Sequence, residues 1–326
     1  MRYGVPDWDA TVAALKHAPK LVIATHVNPD GDAIGSALGA SLALRRLGKT
    51  TYPTWGSKPV AVPFNYTFLP GAKSFMQPEK VPDVDTLLAV DCGAAERLGS
   101  LRRLVESVRC VINVDHHAGN DEFGHLNVVV TGASSTAELI THLVRDVGIE
   151  IDRDIATCLY TGIVTDTGRF QYSNSSPEVL RLAADLLALG VPATKVAQEV
   201  FESSPFNYLK LTGRVLDRAV LLEDESFVYS WLTRADLKET GVSLDETERL
   251  IDLIRSTRSA EVAAMLKEQA AGSYRVSLRS KGPTSVGKIA REQGGGGHEL
   301  AAGFTAPSIA EAIERILEAL RNHRGR

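Results

Sequence analysis

The chain has 326 residues, 44% of them hydrophobic and 23% charged, with a formal net charge of −4, a balance that excludes a disordered or fibrous chain and predicts two globular domains. No apolar run approaches the roughly 18 residues of a membrane-spanning helix, and the N-terminus Met1-Arg2-Tyr3-Gly4-Val5-Pro6-Asp7 has no signal-peptide pattern. Cys92, Cys110 and Cys158 are too widely separated for a disulfide framework or a CxxC site, so reduced thiols in a cytoplasmic protein are expected.

In chain order, Leu21–Thr25 reads as a first strand, followed by the loop His26-Val27-Asn28-Pro29-Asp30-Gly31-Asp32 and a helix over 34–47 stopped by Gly48. Small residues at the start of that helix (Gly35, Ser36, Ala37, Gly39, Ala40) predict close approach to the sheet. Strands follow at Thr86–Val90 and Cys110–Val114, then helices over 134–147, 153–165 and 177–189. This alternation predicts an α/β fold with a parallel sheet over residues 1–190. Residues 191–218, helical but broken by Pro192, Pro205 and Gly213, read as a connector. A smaller α/β domain over 219–326 is expected, with strands at Phe227–Leu232 and Tyr274–Leu278 and helices over 244–256, 285–292 and 308–322. Arg321, Arg324 and Arg326 read as a solvated basic helix end.

Charge is divided between these parts. Residues 255–326 hold 12 Lys/Arg against 7 Asp/Glu, whereas 1–254 hold 24 against 33. An acidic site in the first part and an anion-binding surface in the second are the expectation.

Four segments supply the acids. They are His26-x-x-x-Asp30-x-Asp32, Asp91 after Leu87-Leu88-Ala89-Val90, Asp115-His116-His117 after Val111-Ile112-Asn113-Val114, and Asp166 within Thr165-Asp166-Thr167-Gly168. Packing asks for none of these residues at a strand end, and in parallel sheets ligands sit outside the carboxyl ends of the strands. Five converging carboxylates repel one another unless divalent cations join them. The donors exceed what one ion needs; two ions about 3.5–4 Å apart, sharing a carboxylate, clamp phosphoryl oxygens in phosphatases and nucleases. A shell of carboxylate and imidazole without cysteine favours Mn²⁺ over Zn²⁺, with Mg²⁺ or Co²⁺ as substitutes.

These segments, in this order, resemble the four motifs of the DHH phosphoesterase superfamily, with no departure among the signature acids and histidines. The resemblance implies that His26, Asp30 and Asp91 hold one Mn²⁺ and that Asp32, Asp91, His116 and Asp166 hold the other. It makes His117 a contact to the scissile phosphate and Asp115 the acid that orients a histidine.

A second constellation lies at Ser277-Leu278-Arg279-Ser280, Lys288 and Gly294-Gly295-Gly296-Gly297-His298. From Arg275 to Arg291 there are five cations and no acid, and consecutive glycines admit an anion close to backbone N–H groups. This part resembles the DHHA1 domain, which implies substrate contacts from Ser277, Arg279, Gly295, Gly296 and His298, with Arg258 a further candidate. It also implies a catalytic cleft between the two domains, with 191–218 as hinge. The whole length resembles the two-domain bacterial oligoribonucleases, or nanoRNases, which implies hydrolysis of very short RNA to mononucleotides, phosphatase action on 3′-phosphoadenosine 5′-phosphate, and a homodimer. A linear or cyclic dinucleotide phosphodiesterase and a short single-strand DNA exonuclease are the near alternatives. A non-catalytic nucleotide-binding protein is the distant one.

Overall fold

The computed structural model describes residues 2–324; Arg326 and the side chain of Arg324, assigned above to the solvated end, lie outside the description. The chain divides into two compact units, Met1–Ser203 and Ser204–Arg326. The helical stretch 191–218 is split between them.

The first unit runs α1 (Trp8–His17), β1 (Lys20–Thr25), α2 (Gly31–Arg46), β2 (Thr50–Trp55), β3 (Thr86–Val90), α3 (Arg103–Ser107), β4 (Cys110–Asp115), β5 (Leu126–Val129), α4 (Thr136–Val147), α5 (Arg153–Asp166), α6 (Pro177–Ala188) and α7 (Ala193–Ala197). Its five strands are all parallel, in the order β2-β1-β3-β4-β5. The chain leaves β1 for one edge and then returns through β3 toward the other, so the topological switch lies between β1 and β3. Two strands of this unit went unread in the sequence. β2 carries Pro53, which a strand tolerates at an edge, where β2 lies; β5 has four residues and sits at the other edge.

The small residues of α2 serve a helix more than the sheet. A Cβ on Gly35 would stand 2.5 Å from the Cys158 carbonyl oxygen, and one on Gly39 2.6 Å from Leu159 Cδ2, so α2 and α5 pack nearly backbone to backbone. Gly162 of α5 likewise leaves room for Ala137 and for the Asp32 carboxylate. This contact draws the end of α5 to the start of α2. Asp166 is the last residue of a helix, not the end of a strand, and reaches the site through the contact of α5 with α2.

The second unit comprises α8 (Phe206–Asp217), β6 (Val220–Leu222), β7 (Phe227–Leu232), α9 (Arg234–Thr240), α10 (Leu250–Arg255), β8 (Val262–Glu268), β9 (Tyr274–Ser280), α11 (Val286–Glu292), β10 (Gly296–His298), β11 (Ala301–Ala306) and α12 (Ile309–Arg324). Its mixed sheet has the order β10-β11-β9-β8-β7-β6. The central strand β8, Val-Ala-Ala-Met-Leu-Lys-Glu, has the composition of a helix; burial on both faces overrides that preference. Arg321 is not merely solvated, since its guanidinium donates to Glu225 Oε1 at 2.9 and 3.0 Å.

Candidate metal centre and substrate face

The acids of the first unit meet at the carboxyl edge of β1, β3 and β4. Asp30 caps α2, with Oδ1 accepting from the Asp32 and Ala33 amides at 3.1 Å. Asp32 lies in the first turn of α2, buried, and accepts from the amides of Thr136 (2.7 Å) and Ala137 (2.9 Å) at the start of α4. Asp91 follows β3 in the left-handed region at φ 55°, an unusual backbone for any residue but glycine. Its amide donates to the Val114 carbonyl at 3.0 Å, and the next peptide is fixed by Asn113, whose buried side chain donates to the Cys92 carbonyl at 3.0 Å.

Three groups of donors share Asp91. The first contains His26, Asp30 and Asp91, the second Asp32, Asp91 and His116, and the third Asp91, Asp115 and His117, and the candidate ligand atoms within each group lie within 4.8 Å of one another; in the third, His117 Nδ1 is already taken by the Asp115 carboxylate. Asp91 Oδ2 faces His26 Nε2 at 3.5 Å, while its Oδ1 faces His116 Nε2 at 3.7 Å. His116 Nε2 is also 3.8 Å from Asp32 Oδ2 and 3.5 Å from Asp166 Oδ2. Asp166 thus joins the second group through His116.

The imidazole tautomers decide what these distances mean. His26 Nδ1 donates to the Val27 carbonyl (2.8 Å) and His116 Nδ1 to the Ala133 carbonyl (3.3 Å). A carbonyl oxygen only accepts, so in each neutral ring the proton sits on Nδ1 and the Nε2 lone pair faces carboxylates. Lone pair against carboxylate is repulsive unless a cation lies between them. Donors sharing a small divalent ion at about 2.1 Å stand roughly 3–3.5 Å apart, close to the spacings here. Divalent cations therefore fit this donor set.

The proton affinities tell the same story. Burial pushes Asp32 well above the usual carboxylate range, reinforced by the charges of Asp91, Asp166 and Asp30. Burial likewise raises Asp166, to about 6, against the opposing pull of His116. For Asp91 burial acts in the same sense, but the facing imidazoles of His26, His117 and His116 outweigh it and hold the carboxyl well below its usual range. His116 and His117 rise, because neighbouring carboxylates outweigh the burial that disfavours their charge. Such a cluster gains from cations at every acid.

Asp115, at the end of β4, is fully buried and accepts from His117 Nδ1 at 2.7 Å and from Asn120 Nδ2 at 2.6 Å. The histidine it orients is therefore His117, whereas His116 is fixed by a backbone carbonyl. Sequence reasoning missed Asn113, Asn120 and Thr136. A buried polar residue inside an apolar strand was the available signal for Asn113; nothing in the local pattern marks the other two.

In the second unit the register gathers the expected substrate residues. Arg279 lies opposite Ala301, itself opposite His298; Ser277 lies opposite Gly303, itself opposite Gly296. Residues directly opposite one another project from the same sheet face, so Ser277, Arg279, Gly296 and His298 share one face, with Gly295 just before it. The glycines form half of a β-hairpin more than an open loop. A Cβ on Gly297, at φ 134°, would stand 2.6 Å from the Ala301 oxygen and the Ala302 Cα, while Gly296 faces open space. Arg258 falls outside this arrangement, in the exposed segment between α10 and β8.

Residues 20–163 match the DHH family, N-terminal domain, and residues 224–323 match the DHHA1 domain. The chain is 39% identical over 304 residues to the bifunctional oligoribonuclease and PAP phosphatase NrnA of Thermus thermophilus, covering 92% of this chain and 89% of that protein. It is 30% identical over 305 residues to the protein of the same name from Bacillus subtilis, covering 91% and 92%. The fold is similar to that of an exopolyphosphatase-related protein from Bacteroides fragilis, with a TM-score of 0.90 at 26% identity over 100% of this chain and 99% of that one.

Proposed function

This chain belongs to the DHH phosphoesterase family, with a DHHA1 domain, and we propose that it hydrolyses very short oligoribonucleotides to mononucleotides and removes the 3′-phosphate of 3′-phosphoadenosine 5′-phosphate. The observation that carries the chemistry is the place of Asp91 between the His26 and His116 donor groups, one oxygen facing each. The observation that carries the substrate class is the similarity, over nine-tenths of the chain, to relatives named for both activities.

His26, Asp30 and Asp91 would hold one ion, and Asp32, Asp91, His116 and Asp166 the other, with Mn²⁺ the best match and Mg²⁺ or Co²⁺ able to replace it. When bound, the ions supply Lewis acidity, neutralising phosphoryl oxygens and making water more acidic. The protein's residues do the positioning. Asp115 holds the His117 ring by Nδ1 and favours its charged form, so Nε2–H is a fixed donor for a phosphoryl oxygen as charge develops there. Arg279, half-buried, and Ser277, buried, on the face of the second unit's sheet that carries Gly296, would hold the nucleotide with His298, Gly295 and Gly296. No described helix is long and apolar enough to cross a membrane, and we place the activity in the cytoplasm, where the free thiols of Cys92, Cys110 and Cys158 stay reduced.

A substrate panel tests the proposal. With Mn²⁺, kcat/KM should be highest for RNA dimers and trimers, followed by 3′-phosphoadenosine 5′-phosphate, and low for longer RNA, short DNA and cyclic dinucleotides. A preference for cyclic dinucleotides would replace the substrate assignment and keep the metal chemistry.

A further inference from the structure

α4 does more than cover the sheet. Its first residue, Thr136, is fully buried and makes a hydrogen bond to each of two acids from different segments. The amide donates to Asp32 Oδ2 at 2.7 Å, and the hydroxyl donates to Asp91 Oδ1 at 3.0 Å, the carboxylate being able only to accept. Asp91 stands on a left-handed backbone, and such residues persist only where their surroundings over-determine them. The hydroxyl is one of those determinants. It holds the oxygen that also faces His116.

The turn carrying Thr136 is itself braced. Ser135 caps α4 by accepting from the Glu138 amide at 3.1 Å, Glu138 Oε2 accepts from the Ser134 amide at 2.8 Å, and Tyr3 donates its hydroxyl to Glu138 Oε1 at 2.8 Å. The N-terminal segment of the chain thereby ties down the same turn. A rigid platform with two donors on one residue fixes how far apart the two acids stand.

We propose that Thr136 is a positioning residue that sets the separation of Asp32 and Asp91 and thereby the affinity of the site for divalent cations. This rests on the two-ion reading above. Outer partners of metal-ligating carboxylates typically change metal affinity by about 10- to 100-fold when lost. Replacing the hydroxyl by a methyl group keeps the volume and the amide bond to Asp32 but frees Asp91 Oδ1; a serine keeps both donors.

The test is calorimetric titration of the metal-stripped full-length chain with Mn²⁺, together with thermal melts of the metal-free proteins. Thr136→Val should bind Mn²⁺ about 10- to 100-fold more weakly than the unaltered protein, and Thr136→Ser should stay within about threefold of it. Thr136→Ala adds no atoms, carries the same expectation as Thr136→Val, and decides the matter if the valine variant does not fold. A purely structural role would lower the metal-free melting temperature and leave the Mn²⁺ dissociation constant unchanged, which overturns the proposal while sparing the two-ion reading. Failure of the unaltered protein to bind Mn²⁺ takes both down.

Discussion

In the first unit most of the functional side chains are sunk and tied: His26, Asp32, Asp91, Asp115 and His116 are each no more than 5% exposed, each accepts or donates a hydrogen bond that fixes its orientation, and only Asp30 is exposed, with His117 and Asp166 half-buried. In the second unit Arg279 and His298 are only half-buried, and Gly296 faces open space on the same sheet face. A site for small ions must hold its donors to within fractions of an ångström, and burial with fixed partners does that. A site for a nucleotide gains more from access and from cations that reach outward. The contrast teaches that loss of a first-unit residue should damage chemistry, and loss of a second-unit residue should damage binding.

The largest expected effect is at Asp91. Asp91→Ala should lower kcat by on the order of 1,000-fold or more, since the His26 and His116 donor groups both lose their shared member; single-turnover rates at saturating substrate measure it. His117→Ala should lower kcat by about 100- to 1,000-fold with Mn²⁺ binding retained, the magnitude of one lost transition-state donor. Comparable loss of metal binding in that variant would move His117 into the metal shell. Arg279→Ala should raise KM for an RNA dimer by about 10- to 100-fold, the worth of a charged hydrogen bond, and leave kcat and Mn²⁺ affinity near their original values. A kcat defect of equal size would blur the division between the units.

Much of this division was legible before the fold was known. Acids and imidazoles ending Val/Ile-rich runs cannot be explained by packing, so His26, Asp30, Asp32, Asp91, Asp115, His116 and Asp166 stood out in the sequence. Asp166 was found for a partly wrong reason, because α5 reaches the site only through the glycine-lined contact with α2, which is a long-range fact. Thr136 was invisible: its neighbours Ser134-Ser135-Thr136 look like any helix cap, and its bonds span 45 and 104 residues of chain. β8 was unread for the opposite reason, its helical composition being overruled by the strands on either side.

Two smaller effects sharpen the comparison. In the metal-free fold Asp166 and Asp32 keep protons to higher pH than in the unfolded chain, and so do His116 and His117. Folding that is linked to bound protons weakens as pH rises, beginning near pH 4 for the carboxyls and continuing through about 6 and the histidine range. The rise in Tm on adding Mn²⁺ should therefore grow between pH 5 and pH 8 (order-of-magnitude bounds from those ranges), as scanning calorimetry would show; a flat difference would mean the acids are not neutralised by the ions. In the second unit, Gly297→Ala should cost about 1–3 kcal/mol of stability in denaturant unfolding, with Mn²⁺ binding untouched.

The central claim is that two ions share Asp91, and counting ions tests it most directly. Mn²⁺ titration of the metal-stripped protein, followed by electron paramagnetic resonance, should give two ions per chain with a spin-coupled signal, and Asp91→Ala should lose the coupling and bind at most one ion tightly. A single uncoupled ion in the unaltered protein, or two coupled ions surviving in Asp91→Ala, would contradict the account.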